Sequence, residues 1–480
     1  MLFNSLDFAI FLPIVFLLYW FVAQNNLKLQ NALIVVVSYV FYGWWDWRFL
    51  SLIIFSTVVD YLIGQKLRTE DKQSKRKILL WISIIVNLCF LGFFKYYNFF
   101  LENFVDAFSL FGIQINVNSL NIILPVGISF YTFQTLSYTI DVYRKKLEPT
   151  KDFMAFSAFV CFFPQLVAGP IERATNLLPQ FCKKRTFEYN KAVDVMRQIL
   201  WGLFKKVVIA DNCAEFSNQI FNNSADMNGS TLVLGAIFFT FQIYGDFSGY
   251  SDIAIGTSRL FGFDLKQNFA TPYFSRDIAE FWRRWHISLS TWFRDYLYIP
   301  LGGSKGGTWM KVRNTFAIFL ISGFWHGANW TFVIWGALNA IYFLPLLLTN
   351  NNRKNLSVVA EGKLLPSFRE LIAMLTTFVL TVFAWIFFRA ENISHAFSYI
   401  GEIFSKSFFH APNFLNLKLI LLILFFMFIE WYGRQDQYGL KNLGAKWNKI
   451  LRWMLFFFLI FVIYFFGNFQ KNSEFIYFQF

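Results

Sequence analysis

The chain has 480 residues, of which 56% are apolar and only 15% are charged, and it contains 66 phenylalanines. A soluble globular protein, in which about 25% of residues are charged, is excluded by these figures. The formal net charge of +14 does not indicate a nucleic-acid partner, because the Lys and Arg residues form short clusters between apolar runs, as membrane orientation signals do.

Apolar runs of roughly 20 residues, the length that crosses a bilayer as a helix, recur along the chain. The composition therefore predicts an all-α polytopic membrane protein with about 10–12 transmembrane helices plus re-entrant or interfacial helices. We expect one integral-membrane domain over residues 1–480, with a core motif region at 121–345. The predicted crossings are 8–23, 31–45, 49–64, 78–100, 121–142, 193–212, 231–256, 314–348, 371–388, 416–432 and 453–469.

Basic clusters predict the orientation of these helices. Segment 65–77 contains six basic residues and 101–120 contains none, so the positive-inside rule places the first in the cytoplasm and the second outside. Segment 153–169 is interrupted by Pro164 and has basic residues on both sides, which favours a re-entrant segment. The basic loops 349–369 and 433–452 fall on the cytoplasmic side only if 314–348 forms two helices, with a turn near residues 327–329.

The first polar anomaly is the stretch 244–303, which mixes acidic, basic and aromatic residues around His286. On one continuous helix Trp282, Trp285, Leu289, Trp292 and Tyr296 would form a single stripe, with His286 at its edge. This pattern fits a functional site, and it fits equally an interfacial helix whose arginines reach toward lipid headgroups.

The second anomaly is His326, which lies in an apolar run with no charged residue between Arg313 and Arg353. An ionisable residue inside a membrane segment suggests a functional site. The alternative is a neutral histidine bonded to a backbone carbonyl. Gly323 and Gly327 favour the functional interpretation, because they allow another backbone or a substrate to approach closely. The four scattered cysteines predict neither a disulfide framework nor a metal site.

Both anomalies carry motifs that resemble a known family. SRDIAEFWRRWHISLSTWFRDYLYIPLGG (275–303) and FLISGFWHGANWTFVIWGALNA (319–340) are similar to the signature of the membrane-bound O-acyltransferase family, in particular its alginate-acetylating bacterial branch. PVGISFYTFQTLSYTIDVYR and FFPQLVAGPIER extend the resemblance over most of residues 1–340. The resemblance implies that His326 matches the essential histidine and His286 a supporting one.

The resemblance also implies a reaction. An acyl group, with acetyl as the first candidate, passes from a cytoplasmic thioester such as acetyl-CoA toward hydroxyls of an exopolysaccharide or cell-wall glycan. The transfer is direct or uses an extracytoplasmic partner acetyltransferase. The enzyme would lie among the lipids of the bacterial inner (cytoplasmic) membrane, with no bound cofactor or metal. D-alanyl or other acyl transfer, and a transporter or channel, are the alternatives.

Roles for individual residues follow from this chemistry. His326 is expected to act as a general base, to stabilise an oxyanion, or to activate a serine of the partner. His286 is expected to contact the thioester carbonyl or to orient the donor, beside Trp282, Trp285 and Asn329. Arg283 and Arg284 are candidates for binding donor phosphates, although a topology signal explains them equally well.

Overall fold

A computed structural model of the protein describes residues 1–23, 26–113, 115, 119–167, 169–469 and 475–476. These residues form α-helices and contain no β-strand, which confirms the all-α prediction. Within the described ranges, six helical runs are long and apolar enough to cross a membrane. They are Leu27–Thr69, Gln73–Ser109, Gly229–Leu260, Trp330–Leu348, Phe368–Arg389 and Lys449–Phe466. The first two have 43 and 37 residues, and since one crossing needs about 20 residues, each is long enough for two.

The helix bounds follow the predicted apolar runs closely. The helices are α1 (Leu6–Leu17), α2 (Leu27–Asp46), α3 (Leu50–Thr69), α4 (Gln73–Leu91), α5 (Tyr97–Ser109), α6 (Ile128–Tyr143), α7 (Phe153–Cys161), α8 (Phe163–Leu166), α9 (Ala174–Phe181), α10 (Tyr189–Leu203), α11 (Asp211–Asn222), α12 (Gly229–Leu260), α13 (Ile278–Arg284), α14 (Ile287–Phe293), α15 (Thr308–His326), α16 (Trp330–Leu348), α17 (Phe368–Arg389), α18 (Ile393–Ile403), α19 (Leu417–Tyr432) and α20 (Lys449–Phe466). Wider π-helical turns extend four of them, at Leu18–Val22, Gly92–Tyr96, Phe204–Ala210 and Arg294–Tyr298.

The described chain divides into two compact units. The first comprises Met1–Ala192 with Thr257–Lys266, and the second comprises Val193–Gly256 with Gln267–Phe480. The sequence motifs around His286 and His326 both lie in the second unit. The expectation of one acyltransferase domain over residues 1–480 stays a prediction.

A buried carboxylate joins three helices of the first unit. Asp60 of α3 is fully buried. It accepts hydrogen bonds from Asn87 Nδ2 of α4 at 3.0 Å and from Thr139 Oγ1 of α6 at 3.1 Å. Ser83 Oγ also donates to it. Because its oxygens are satisfied by neighbouring donors, this group stabilises the packing of α3, α4 and α6.

The segment predicted to be re-entrant is broken in the structure. Helix α7 ends at Cys161, and the four-residue α8 begins at Phe163 with Pro164 in its first turn. Nine residues of α-helix extend only about 14 Å, so α7 alone is too short to cross the hydrocarbon core. The break and the short helix agree with a re-entrant path. The face to which the segment returns stays a prediction.

In the second unit, residues 308–348 form a helical hairpin, as the charge distribution predicts. Helix α15 ends at His326, and α16 begins at Trp330. The side chain of Asn329 caps α16 by accepting a hydrogen bond from the backbone N–H of Thr331 at 3.0 Å. A β-carbon on Gly323 would lie 2.2 Å from the carbonyl oxygen of Phe332. The two helices therefore touch through their backbones, which only a residue without a side chain permits.

The hairpin leads to a topology prediction. Single cysteines at Leu356 and Asn442 should react with an impermeant maleimide only after cells are permeabilised, because both loops are expected in the cytoplasm. A cysteine at Leu110, which is 86% exposed, should react in intact cells and serves as the control. Labelling of both test positions from outside would contradict the two-crossing topology. The background lacks Cys89, Cys161, Cys182 and Cys213.

Candidate functional site

The helix around His286 is broken, which corrects the prediction of one continuous aromatic stripe from Trp282 to Tyr296. Helix α13 ends at Arg284, and α14 begins at Ile287. Between them Trp285 is extended and His286 has the left-handed backbone conformation, with φ 42° and ψ 55°. This conformation is strained for a residue with a side chain and persists only where surrounding contacts impose it.

Asn268 supplies those contacts. Its backbone carbonyl accepts a hydrogen bond from the Ile287 N–H at 2.9 Å. Its side-chain Oδ1 accepts from the N–H and the hydroxyl of Ser288, at 3.2 and 2.8 Å. Its Nδ2 donates to Ser251 Oγ at 3.2 Å. A loop residue 18 positions earlier in the chain thus holds the helix break in place.

The same amide determines which ring nitrogen of His286 carries the proton. His286 Nδ1 lies 3.1 Å from Asn268 Oδ1. The orientation of that amide is fixed, because the backbone N–H of Ser288 can only donate and must face an oxygen. Nδ1 therefore carries a proton and donates, which makes Nε2 the acceptor nitrogen of a neutral imidazole.

Burial keeps His286 in the neutral form. The side chain is fully buried, and the ring of Phe247 meets it edge to face at 4.6 Å. This burial lowers the pKa of His286 to about 3, because the imidazolium loses its hydration there. A neutral ring that donates through Nδ1 has no second donor. Donation from Nε2 to a thioester carbonyl, one of the two roles expected from the sequence, is therefore disfavoured.

His326 ends α15 inside an aromatic cage. It is 2% exposed. Its ring centroid lies 4.9 Å from Trp325, 5.1 Å from Trp335 and 5.4 Å from Phe388. The ring of Trp335 stands nearly perpendicular to the imidazole, at 89°. Such a cage excludes water and fixes the ring plane, both of which favour proton transfer in a defined direction.

The structure brings the two histidines together through one side chain. The ring of Trp325 lies 6.2 Å from His286 and 4.9 Å from His326. The predicted tryptophans extend the same cluster. Trp282 lies 5.7 Å from Trp335, and Trp285 lies 5.1 Å from Trp385. Four of the predicted positions therefore share one buried aromatic site.

The other three predicted residues have structural contacts of their own. Asn329 caps α16 and donates from Nδ2 to the backbone carbonyl of Glu391 at 2.8 Å. Arg283 donates to the carbonyls of Asn352 and Asn355, at 2.8 and 2.7 Å. Arg284 pairs with the buried carboxylate of Glu280 at 2.9 Å. The contacts of Arg283 anchor the loop after α16, as does a hydrogen bond from Arg284 Nη2 to the Ser357 carbonyl at 3.2 Å. Substrate roles for the three residues stay predictions.

A cavity of about 230 Å³ opens beside this site, with mostly apolar walls from α14, α15 and α16. Trp282 forms part of the wall, together with Ser322, which lies one helical turn before His326. Arg294 and Arg353 also line it. An apolar cavity with two guanidinium groups in its walls suits a ligand that has an apolar or thioester portion and an anionic portion.

Several residues of the site are absent from the sequence prediction. Asn268 and Ser288 hold His286, and Trp335, Trp385 and Phe388 complete the aromatic wall. Asn268 lies within the polar stretch 244–303, but nothing in its spacing links it to the histidine. Trp385 and Phe388 belong to α17, which matches an ordinary hydrophobic crossing. Only tertiary packing reveals these partners.

Comparisons with known proteins bear on this site. A family model described as membrane-bound O-acyltransferase matches residues 143–377, a range that includes both histidines. The chain is 39% identical over 446 residues to the probable alginate O-acetylase AlgI of Pseudomonas aeruginosa, covering 92% of this chain and 82% of that protein. It is 36% identical over 426 residues to the peptidoglycan O-acetyltransferase of Helicobacter pylori, covering 82% and 78%. It is 30% identical over 272 residues to the teichoic acid D-alanyltransferase of Streptococcus thermophilus, covering 51% of this chain and 62% of that protein.

Proposed function

Because the chain belongs to the membrane-bound O-acyltransferase family, we propose that it transfers an acetyl group from a cytoplasmic thioester to hydroxyls of a polysaccharide outside the membrane. The proposed thioester is acetyl-CoA. The observation that carries the proposal is the pair of buried histidines, His286 and His326, which both contact the ring of Trp325. They belong to the same aromatic cluster as Trp282, which forms part of the wall of a cavity that suits a thioester. The protein itself is a multi-pass membrane O-acyltransferase. The membrane in which we propose that it acts is the bacterial inner (cytoplasmic) membrane.

The relatives support acetyl as the acyl group and a glycan as the acceptor. The names of two of them specify O-acetylation of alginate or transfer of acetyl to peptidoglycan, and they match 92% and 82% of this chain. The D-alanyl relative matches only 51%. Transfer of D-alanyl to a cell-wall polymer is therefore the weaker proposal. The family membership favours an enzyme over a transporter or channel.

In the proposed chemistry His326 takes up the proton of the acceptor hydroxyl. The acceptor hydroxyl oxygen attacks the carbonyl carbon of the thioester while the imidazole of His326 takes the hydroxyl proton. The new C–O bond forms and the C–S bond breaks. The proton then passes from His326 to the leaving thiolate, so the products are the ester and the free thiol. His286, neutral and held by Asn268, orients the reacting groups through its acceptor nitrogen.

The acceptor is either the glycan or a hydroxyl of an extracytoplasmic partner acetyltransferase that passes the acetyl group on. Proteoliposomes that contain the purified protein distinguish these routes. Acetyl-CoA is enclosed in the lumen, and the donor side of the protein faces the lumen. Acetylation of added polysaccharide without another protein supports direct transfer. Release of thiol only when a partner is added supports the second route. Failure to consume acetyl-CoA in both arms would contradict the proposed donor.

The donor cavity gives a prediction about KM. Arg353 lines the cavity and is exposed, so we propose that it binds the anionic portion of the donor. Arg353→Gln should raise the KM for acetyl-CoA about tenfold, the scale of one charge-assisted hydrogen bond, and leave kcat near wild type. S-acetylpantetheine, which lacks the nucleotide phosphates, should show no such change. The rate of thiol release measures the reaction with each of the two donors.

Arg369→Gln is the matched control, because Arg369 is exposed in the first turn of α17, directly after the same loop, and does not line the cavity. An equal rise in KM for both donors would contradict a phosphate role of Arg353. The same comparison tests Arg283 and Arg284. If they bind the donor phosphates directly, their replacement raises the KM for acetyl-CoA alone, whereas loss of their contacts to the loop lowers the yield of folded protein.

A further inference from the structure

A second cavity, of about 270 Å³, lies in the first unit, at the end of the apolar helix formed by α1 and the π-helical turn Leu18–Val22. Trp20 of the π-helical turn Leu18–Val22 forms one wall, and its indole N–H donates to the Leu260 carbonyl at 3.0 Å. The segment 180–192 forms most of the remainder. The proposed acyl-transfer chemistry uses none of these residues.

The lining of this cavity is strongly basic. Five of its residues are cations and two are acids, namely Lys183, Lys184, Arg185, Lys191 and Arg259 against Glu188 and Asp264. Lys191 is paired with Glu188 at 2.7 Å, so this pair contributes little net charge. The remaining cations outnumber the remaining acid, and the cavity therefore has a positive potential that attracts anions.

Arg185 is the strongest indication of an anionic ligand. Its side chain is 5% exposed, and Nη2 donates to Asn31 Oδ1 at 2.8 Å and to Gln30 Oε1 at 3.2 Å. Nε and Nη1 are buried without a hydrogen-bond partner among the described residues. The guanidinium faces the ring of Phe263 at 4.7 Å. No carboxylate of the described residues forms an ion pair with it. A buried cation without an anion is costly, and a bound anion offsets that cost.

The surroundings indicate where the anion comes from. Phe21 and Val22, adjacent to Trp20, are 71% and 68% exposed, as residues that contact lipid chains are. Tryptophan is common at the level of lipid headgroups. Basic clusters beside a membrane helix on the cytoplasmic side bind anionic headgroups, and the charge pattern predicts that this segment is cytoplasmic.

We propose that this cavity binds the phosphate group of a small ligand, and that the headgroup of an anionic phospholipid is the source that its position beside lipid-exposed residues favours. The phosphate would lie among Lys183, Lys184 and Arg185. A soluble phosphate, such as that of a nucleotide, has the same chemistry and is the other source to be tested.

Native mass spectrometry of the full-length protein in detergent tests the proposal, with phosphatidylglycerol and phosphatidylcholine as separate probes. Phosphatidylglycerol should be retained preferentially, and the double variant Lys183→Gln/Lys184→Gln should bind it about 10- to 30-fold more weakly. The double variant Lys145→Gln/Lys146→Gln is the matched control, since it removes an exposed lysine pair of the same unit that does not line the cavity. The control should bind as the wild type does.

Adenosine 3′,5′-bisphosphate and inorganic phosphate form the soluble arm of the experiment, measured by the shift in the thermal unfolding midpoint. A shift that is lost in Lys183→Gln/Lys184→Gln, with no preference for phosphatidylglycerol, supports the site with a soluble ligand as its source. Equal binding of every probe by the wild type and by both double variants would overturn the proposal. So would the absence of binding in both arms.

Discussion

His326→Ala should abolish detectable acyl transfer while expression and membrane insertion stay near wild type. A positioned general base contributes about 10²–10⁴-fold to rate, and the reaction has no other proposed proton acceptor. The imidazole lies against Trp325, Trp335 and Phe388, so a smaller side chain leaves a buried space but no unpaired charge. Thiol release from acetyl-CoA by purified protein, together with acetylation of the cell-surface glycan, measures the effect.

His326→Gln separates two of the roles left open by the sequence. Glutamine can donate a hydrogen bond to an oxyanion but does not take up the hydroxyl proton at neutral pH. Complete loss in this variant supports the base, and partial activity supports oxyanion stabilisation. His410→Gln is the control, because His410 is an exposed histidine outside the site. Normal glycan acylation in His326→Ala would refute the assignment.

Asn268→Ala should lower the rate about 10- to 100-fold, the scale of losing a group that orients a functional imidazole. The variant removes the acceptor that holds the proton of His286 on Nδ1 and supports the helix break. His286→Ala should also impair activity, because the variant lacks the imidazole that orients the reacting groups. Of the two histidines, His326 should be the more sensitive position.

Asn268→Asp gives a pH signature that a purely structural effect does not produce. The carboxylate favours the imidazolium, so it raises the pKa of His286 from about 3 toward the neutral range. If His286 acts in its neutral form, activity should then fall on the acid side, between about pH 7 and 5, and recover at alkaline pH. The pH–activity profile of the wild type should show no fall caused by protonation of His286 above about pH 5.

Asn314→Asp is the control for Asn268→Asp, because Asn314 is another fully buried asparagine, bonded through Nδ2 to the carbonyls of Leu301 and Gly303. General destabilisation should reduce the yield of both variants. The new acid limb should appear only in Asn268→Asp. An unchanged pH profile in that variant would exclude the proposed neutral role of His286.

The membrane helices were predictable because hydrophobic length and basic loops depend on the chain alone. The turn between α15 and α16 illustrates this point. Only two crossings place the loops 349–369 and 433–452 on the cytoplasmic side, and the structure indeed has a break between His326 and Trp330. The π-helical turns, such as the one at residues 294–298, were not predicted, since they depend on how neighbouring helices pack.

The site was predictable only in part. Both histidines stand out because polar residues are rare in apolar segments, but their geometry comes from residues far away in sequence. The stripe from Trp282 to Tyr296 satisfies a helical period, and yet Asn268 imposes a left-handed residue in its middle. A periodicity argument assumes a continuous helix, so it cannot detect a break that a distant loop stabilises.

The contact between the backbones of α15 and α16 has a consequence for substrate range. Gly323 and Gly336 let the backbones of the two helices meet without intervening side chains, so main-chain packing fixes where α15 ends. The backbone at that end keeps its place even if the rings around the imidazole change in size. Evolution can therefore enlarge or narrow the space near His326 and admit acyl groups of different bulk, while the chemistry that transfers them stays the same.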